Sequence, residues 1–333
     1  MGKFRSLAFL AVVPFLMCSA DETRTPDAPL HVLSGHTGSV MSVAFAPDGM
    51  TLASGSRDRT ILLWDTAAGK RKQTLKGHEG DVYCVVYSPR GDILASAAAD
   101  STIRLWNAKD GKPLRTLTGH EGVVRSVAVA PGGKMLVSGG TDSTVRLWDV
   151  ASGRLRRTVT GHGGQVRSVA WSADGRLLAS GATDKTARLW HANDGSVKHI
   201  LKGHPGGLEA VAFAPDGKTL ASSSSDATAR LWDIDSGDLK HILKGHGEEI
   251  DSIVYSPDGT LIVTGSKDKS IKIWDAKSGK LQRTITGPKN RLESLAFSAD
   301  GKALASGSGG PEAVVRIWKA AALAAPGHDM NDK

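Results

Sequence analysis

From residue 40 onward the hydrophobic positions fall in short runs, not in arcs of helical spacing. Val40 to Phe45 sets Val40, Ser42 and Ala44 against Met41, Val43 and Phe45, a pattern that fits a strand buried on both faces. Ala46-Pro47-Asp48-Gly49 then predicts a turn: proline presets φ, aspartate bonds back to the loop and glycine accepts positive φ. Leu52 to Ser54 reads as a second strand and Thr60 to Trp64 as a third. After Ala67-Ala68-Gly69, a fourth is expected around Lys72 to Leu75. No segment sustains a helical period.

This unit recurs. Gly-His stands at Gly35-His36, Gly77-His78, Gly119-His120, Gly161-His162, Gly203-His204 and Gly245-His246, a constant step of 42, and Gly287-Pro288 keeps the step without the histidine. Trp64, Trp106, Trp148, Trp190, Trp232 and Trp274 share the step, and Trp318 arrives two residues late. Length alone, at 333 residues, suggests two domains, but self-similarity at this period means a solenoid, array or propeller. Four short strands in each of seven units predict an all-β chain, a seven-bladed β-propeller of four-stranded antiparallel blades. Stacking seven blades around an axis buries apolar faces that no single blade can cover. Phe45, Tyr87, Val129, Trp171, Phe213, Tyr255 and Phe297 share one position and are expected in that core.

The Gly-His opening, the Ser/Ala-Pro-Asp-Gly turn, the aspartate six residues before tryptophan and Trp64-Asp65 resemble WD40 repeats over about residues 30 to 318. The resemblance implies repeats offset from blades, so that the N-terminal segment around Leu30 to Leu33 supplies the outer strand of the seventh blade and closes the ring. It also implies a buried hydrogen-bonded chain of indole, hydroxyl, imidazole and carboxylate in each regular unit. The candidate sets are His36, Ser54, Asp58 and Trp64; His78, Ser96, Asp100 and Trp106; and His120, Ser138, Asp142 and Trp148. They continue as His162, Ser180, Asp184 and Trp190; His204, Ser222, Asp226 and Trp232; and His246, Thr264, Asp268 and Trp274. A serine, a histidine and an aspartate together invite comparison with a catalytic triad. Six symmetric copies indicate a building element, because catalysis needs one environment unlike its surroundings. The seventh unit, with Pro288 and the longer Ser308-Gly309-Gly310-Pro311-Glu312 loop, is expected to be the weakest blade.

Composition narrows the chemistry. With 40% hydrophobic and 23% charged residues the chain can bury a core. Two cysteines, Cys18 and Cys84, give no disulfide framework, and Cys84 reads as a small buried thiol in a serine register. The net charge of +8 falls to +6 without Lys3 and Arg5, and six residues two places before the tryptophans, Arg104, Arg146, Arg188, Arg230, Lys272 and Arg316, match that excess. They belong to the repeat, with stems expected on the blades and heads in water, so nucleic acid is not the expected partner. Lys70-Arg71-Lys72 and Arg154 to Arg157 would block edge pairing. No phosphate-cradling loop or zinc motif occurs, and His31, His199 and His241 fall on separate blades, so neither cofactor nor metal is expected.

Lys3 and Arg5, the apolar run from Ser6 to Met17, and Cys18 and Ala20 have signal-peptide order. The expected organisation is a signal peptide at 1–20, a linker at 21–29, the propeller at 30–318 and an Ala-rich flexible tail at 319–333. It places a bacterial-type, exported protein in the periplasm or outside the cell; lipidation at Cys18 is the rival reading. The run is too short to span a bilayer as a mature helix.

One register on the inner strands does not repeat: Met41, Tyr83, Arg125, Arg167, Glu209, Asp251 and Glu293. Arg57 and Glu249 fall in sectors of matching sign, giving one basic side with a tyrosine and one acidic side. The resemblance places these residues at the top rim, a frequent docking surface. The expected function is a monomeric, non-enzymatic scaffold for a protein or peptide partner. The alternative is a propeller enzyme or a carbohydrate- or ligand-binding module using Glu209, Asp251 and Glu293.

Overall fold

A computed structural model describes residues 28–320. The expected signal peptide, most of the expected linker and the expected tail beyond Ala320 lie outside the described residues. Twenty-eight strands form seven four-stranded antiparallel sheets, each a blade. Blade 1 runs from the channel outward as Val40–Phe45, Thr51–Ser56, Ile61–Asp65 and Lys70–Leu75. The third strand starts one residue later than the sequence suggests because the backbone N–H and hydroxyl of Thr60 both bond Asp58 Oδ1, at 2.9 and 2.6 Å. Blade 7 takes Leu292–Phe297, Ala303–Ser308 and Val314–Lys319 from the C-terminal repeat and His31–Ser34 from the other end of the chain. His31 pairs with Ile317 and Ser34 with Val314, which closes the ring as expected.

Apolar layers fill the joints between blades. In the first, Ile61, Leu63 and Leu75 of blade 1 pack on Val82, Val85, Leu94 and Trp106 of blade 2. Leu33 of the closing strand is buried with Val40, Val315 and Ile317. Full burial of one such side chain is worth about 1.5–3 kcal/mol, and each joint buries several. Close approach dictates a small residue on each second strand: a Cβ on Gly55 would meet Val82 Cγ1 at 2.8 Å. That register reads Gly55, Ala97, Gly139, Gly181, Ser223, Gly265 and Gly307. The aromatic register expected in the core sits at its margin; Tyr87 is buried, while Phe45, Trp171, Phe213, Tyr255 and Phe297 are half-buried against the layers.

Every inner strand carries the same irregularity. Pairing with the second strand skips one residue between Val40 and Ser42, and equivalently in each blade. The skipped residues are Met41, Tyr83, Arg125, Arg167, Glu209, Asp251 and Glu293. A bulge re-aims the side chain it frees from the ladder. The register that varies in sequence is thus the one that the strand pairing releases.

Candidate functional site

Two sets of polar residues compete as the site. In blade 1, Trp64 Nε1 donates to Ser54 Oγ at 2.8 Å, and Ser54 Oγ lies 2.8 Å from His36 Nε2. His36 Nδ1 lies 2.7 Å from Asp58 Oδ2. The carboxylate can only accept, so the proton of the neutral imidazole resides on Nδ1 and Nε2 accepts from the hydroxyl, which itself accepts from the indole. The same chain of bonds appears at Ser96, Ser138, Ser180, Ser222 and, through a threonine hydroxyl, at Thr264. The histidines are at most 9% exposed and the hydroxyl residues fully buried. Burial pushes the imidazoles of His120, His162, His204 and His246 down, more than their aspartates pull them up, so they stay neutral. Burial raises the Asp142 carboxyl, but bonds from His120, Glu121 N–H and Thr144 outweigh it and hold the group below the usual carboxylate range. No atom is left free to act on a substrate. The quartets tie the loops to the strands.

Two of the arginines before the tryptophans, Arg146 and Arg188, reach the quartet aspartates of their own blades, which corrects the expectation of heads in water for these two. Arg146 Nη1 donates to Gly119 O at 2.5 Å and Nη2 lies 3.4 Å from Asp142, with only 11% of the side chain exposed. In blade 7, Pro288 is buried in the histidine's register, and Trp318 still donates to Ser306, at 3.2 Å. Glu312 pairs there with Arg316 at 3.3 Å and Lys289 at 3.5 Å. The Glu312–Arg316 spacing repeats that of Asp142–Arg146, so Glu312 takes over the aspartate's contact with the arginine but not its bonds to histidine and loop.

The second set lines the mouth of the channel. All seven bulge residues are partly buried, the acidic ones with side chains almost wholly so. Exposed Arg57 directs Nε to Met41 Sδ at 3.3 Å, and the Arg125 guanidinium lies over the Tyr83 ring, 4.0 Å from its centre. Arg167 Nε approaches Glu209 Oε2 at 3.9 Å, where the basic side meets the acidic one. Glu209, Glu249 and Asp251 bring carboxylate oxygens within 4.8 Å of one another, close enough to converge on a cation. Lys267 already supplies a positive charge there, 2.6 Å from Glu249 and 4.0 Å from Asp251. Glu293 is held by Arg291 at 2.5 Å. Asp251 Oδ2 is buried with no hydrogen-bond partner. Burial, then the neighbouring Glu293 charge, pushes Asp251 up to about 8, against the pull of Lys267. Burial likewise raises Glu209, opposed first by Arg167.

Sequence reasoning passed over Lys267 and Arg291. The signal was there: Lys267 stands in the register of Arg57, and Arg291 in that of Glu249. Trp171, expected in the core, donates Nε1–H to Ala128 O at 3.3 Å, and its half-exposed ring helps line a groove of about 630 Å³ with Pro131, Met135 and His191. His199 and His241 bond the carbonyls of Asp235 and Lys277 on the next blade, at 2.9 and 3.1 Å, and so clasp neighbours. Among the described residues no helix is long and apolar enough to cross a membrane.

Comparison with known proteins agrees with the architecture. Protein Mut11 of Chlamydomonas reinhardtii is 61% identical over 44 residues, 13% of this chain and 12% of its own. The small ribosomal subunit protein RACK1 of Medicago sativa is 53% identical over 45 residues, 14% of each chain. Vegetative incompatibility protein HET-E-1 of Podospora anserina is 56% identical over 43 residues, 13% of this chain and 3% of its own. Each match is about one repeat long, a small fraction of the relative, and these eukaryotic proteins lend no support to the bacterial-type, exported reading. The family model described as WD domain, G-beta repeat matches seven consecutive segments, at 27–65, 69–107, 111–149, 153–191, 195–233, 237–275 and 279–319. With the ring, the offset closure and the quartets, that places the chain in the WD40 repeat family.

Proposed function

We propose that this propeller is a non-enzymatic scaffold that docks a protein or peptide segment on the loop-bearing rim at the channel mouth. One observation carries the reading: in every blade the same bulge frees one side chain, and that register diverges in charge and size while the quartet and turn positions recur. WD40 propellers are generally interaction scaffolds, and fold alone assigns no partner. The mouth adds chemistry. Arg57, Arg125 and Arg167 with Tyr83 favour an acidic stretch, and Glu209, Glu249, Asp251 and Glu293 favour a basic one, so the fitting segment carries both signs in that order around the ring. Charge of this kind steers encounter and sets orientation, while arginine and aromatic anchors supply affinity.

The test is paired capture. A partner recovered on the folded ring and re-bound as a purified protein loses binding to an Arg125→Glu/Arg167→Glu variant whose thermal melt is unchanged. Equal binding of both rings defeats the reading. A carbohydrate- or ligand-binding alternative rests on the converging carboxylates, which Lys267 already engages; an activity and ligand screen separates the two. Export is the accompanying proposal for the N-terminal segment, supported by its basic, apolar and small zones. N-terminal sequencing of the mature protein starting at Asp21 supports it; a start at a lipidated Cys18 replaces cleavage with anchoring, and an intact leader removes both.

A further inference from the structure

The seven joints between blades are built alike, with informative exceptions. In the regular joint the inner-strand hydroxyl of one blade accepts the backbone N–H of the next. Ser42 Oγ takes Val85 N–H, Ser126 takes Val169, Ser168 takes Val211, Ser252 takes Leu295 and Ser294 takes Val43, all at 3.0–3.1 Å. Two joints depart. Between blades 2 and 3 the group is the Cys84 thiol, which reaches Val127 O at 3.5 Å. Between blades 5 and 6 it is Ala210, which has no polar atom to offer.

The same joint departs twice more. Ser223 occupies the small-residue register that otherwise holds glycine or alanine. In the neighbouring joints a Cβ at Gly181 would meet Val211 Cγ1 at 3.0 Å, and one at Gly265 would meet Leu292 Cβ at 3.2 Å. Ser223 puts a side chain into that space opposite Ile250 and Ile253, and its hydroxyl is fully buried without a hydrogen-bond partner. At the mouth end, Glu209 of blade 5 meets Glu249 and Asp251 of blade 6. Like charges also adjoin at Arg125/Arg167 and Asp251/Glu293, but Ser126 and Ser252 staple those joints. The Cys84 joint has instead the attraction of Arg125 for Tyr83. The joint of blades 5 and 6 is the one that combines an absent staple, a misfit hydroxyl and like charges.

We propose that the joint between blades 5 and 6 is where the ring yields, and that the charge on Glu209, Glu249 and Asp251 sets how tightly it is held. This goes beyond the docking reading and does not depend on it. Asp251 faces Glu293 from blade 7, Lys267 and Glu249 from its own blade and Glu209 from blade 5. Glu209 faces Arg167 of blade 4 and Arg125 of blade 3, besides Glu249 and Lys267. Lys267 offsets one charge of the three. Both Asp251 and Glu209 have folded-state pKa values above their unfolded ones. Stability from the joint is therefore complete below about pH 4 and is lost as pH rises through about 8.

Hydrogen exchange on the intact chain at pH 5.5 and 8.5, with times scaled for the intrinsic rate, tests this. Segments 208–224 and 250–266 lose protection by about tenfold or more at the higher pH, against little change in 124–140 and 166–182. Asp251→Asn weakens that pH response, and adding Glu209→Gln abolishes it. Ala210→Ser with Ser223→Gly, which restores the regular joint, raises protection of both segments at both pH values. A uniform pH response around the ring, a response unchanged by Asp251→Asn, or no gain in the restored joint overturns the proposal.

Discussion

The quartets and the mouth use the same kinds of atom to opposite ends. Around Asp142, five donors converge: His120 Nδ1, Glu121 N–H, Thr144 N–H and hydroxyl, and Arg146 Nη2. Around Asp251 one carboxylate oxygen has no donor, and the nearest opposite charge, Lys267, is shared with Glu249. Both carboxylates are about nine-tenths buried. Satisfaction, not burial, separates them: a buried polar group fully bonded is architecture, and one left short of partners is available to something else. The most familiar catalytic residue types in this chain are thus the least available for chemistry.

Breaking a quartet gives the largest effect. Asp142→Ala orphans His120 and several loop donors in one step and is expected to cost about 2–4 kcal/mol in denaturant unfolding, without loss of partner binding. Asp100→Ala or Asp184→Ala should cost a similar amount. Asp251→Asn, which keeps the shape and removes a strained charge, is expected to leave the protein unchanged or more stable at pH 8. A mouth substitution as costly as a quartet substitution removes the distinction.

The next effect sets the two regions against each other in pH. The depressed imidazoles of His120, His162, His204 and His246 mean that unfolding takes up protons as pH falls from about 6.5, so quartet stability drains on the acid side. Depressed aspartates such as Asp142 and Asp226 extend that loss below their ordinary 3.8. The mouth carboxylates drain stability in the opposite direction, as pH rises through about 8. Unfolding free energy against pH should be bell-shaped. Asp251→Asn lifts only the alkaline limb, and a quartet substitution reshapes only the acid limb.

Most of this architecture was legible in the sequence, because its rules act over one repeat. The step of 42, the Pro-Asp-Gly turns and the six quartets each express a local geometric need that the next unit repeats. What escaped depends on distances between units. Glu312 falls off the step of 42 because of the two-residue insertion, although it keeps the aspartate's spacing of six before Trp318, and Arg316 finds it at 3.3 Å. Lys267 and Arg291 were visible as divergent residues, but only the bulge brings their neighbours' carboxylates to them. The Arg146 head, expected in water, turns inward to the carbonyl of Gly119, whose φ of +144 favours glycine.

Blade 7 sharpens the comparison within the quartet class, since it keeps the tryptophan and serine but not the histidine. Its Trp318–Ser306 bond, at 3.2 Å, is longer than the 2.8 Å of blade 1. Its outermost strand, His31–Ser34, is held by pairing and by Leu33 rather than by chain continuity. Exchange of amides in the third and closing strands of blade 7 should precede exchange within the other blades, by local fraying instead of opening between blades. Equal protection across all seven third strands counts against the quartet's role as the tie.

Cys84 offers the smallest and most local change. A thiol is a weak donor and weaker acceptor, and burial pushes this one up in pKa, with its bond to Val127 O and those to neighbouring hydroxyls opposing. Cys84→Ser substitutes the hydroxyl that five other joints use, and offers Val127 N–H the acceptor that Val85 N–H has in Ser42. The expected gain is about 0.5–1.5 kcal/mol, the net value of one hydrogen bond, less any loss from burying a more polar atom. Reaction of the wild-type thiol with an exchange reagent should be slow in the folded state and fast once the protein is unfolded. A loss of stability on Cys84→Ser would mean that the sulfur's volume and contacts matter more at this joint than its missing bond, and that the hydroxyl register is held for packing, not for the staple.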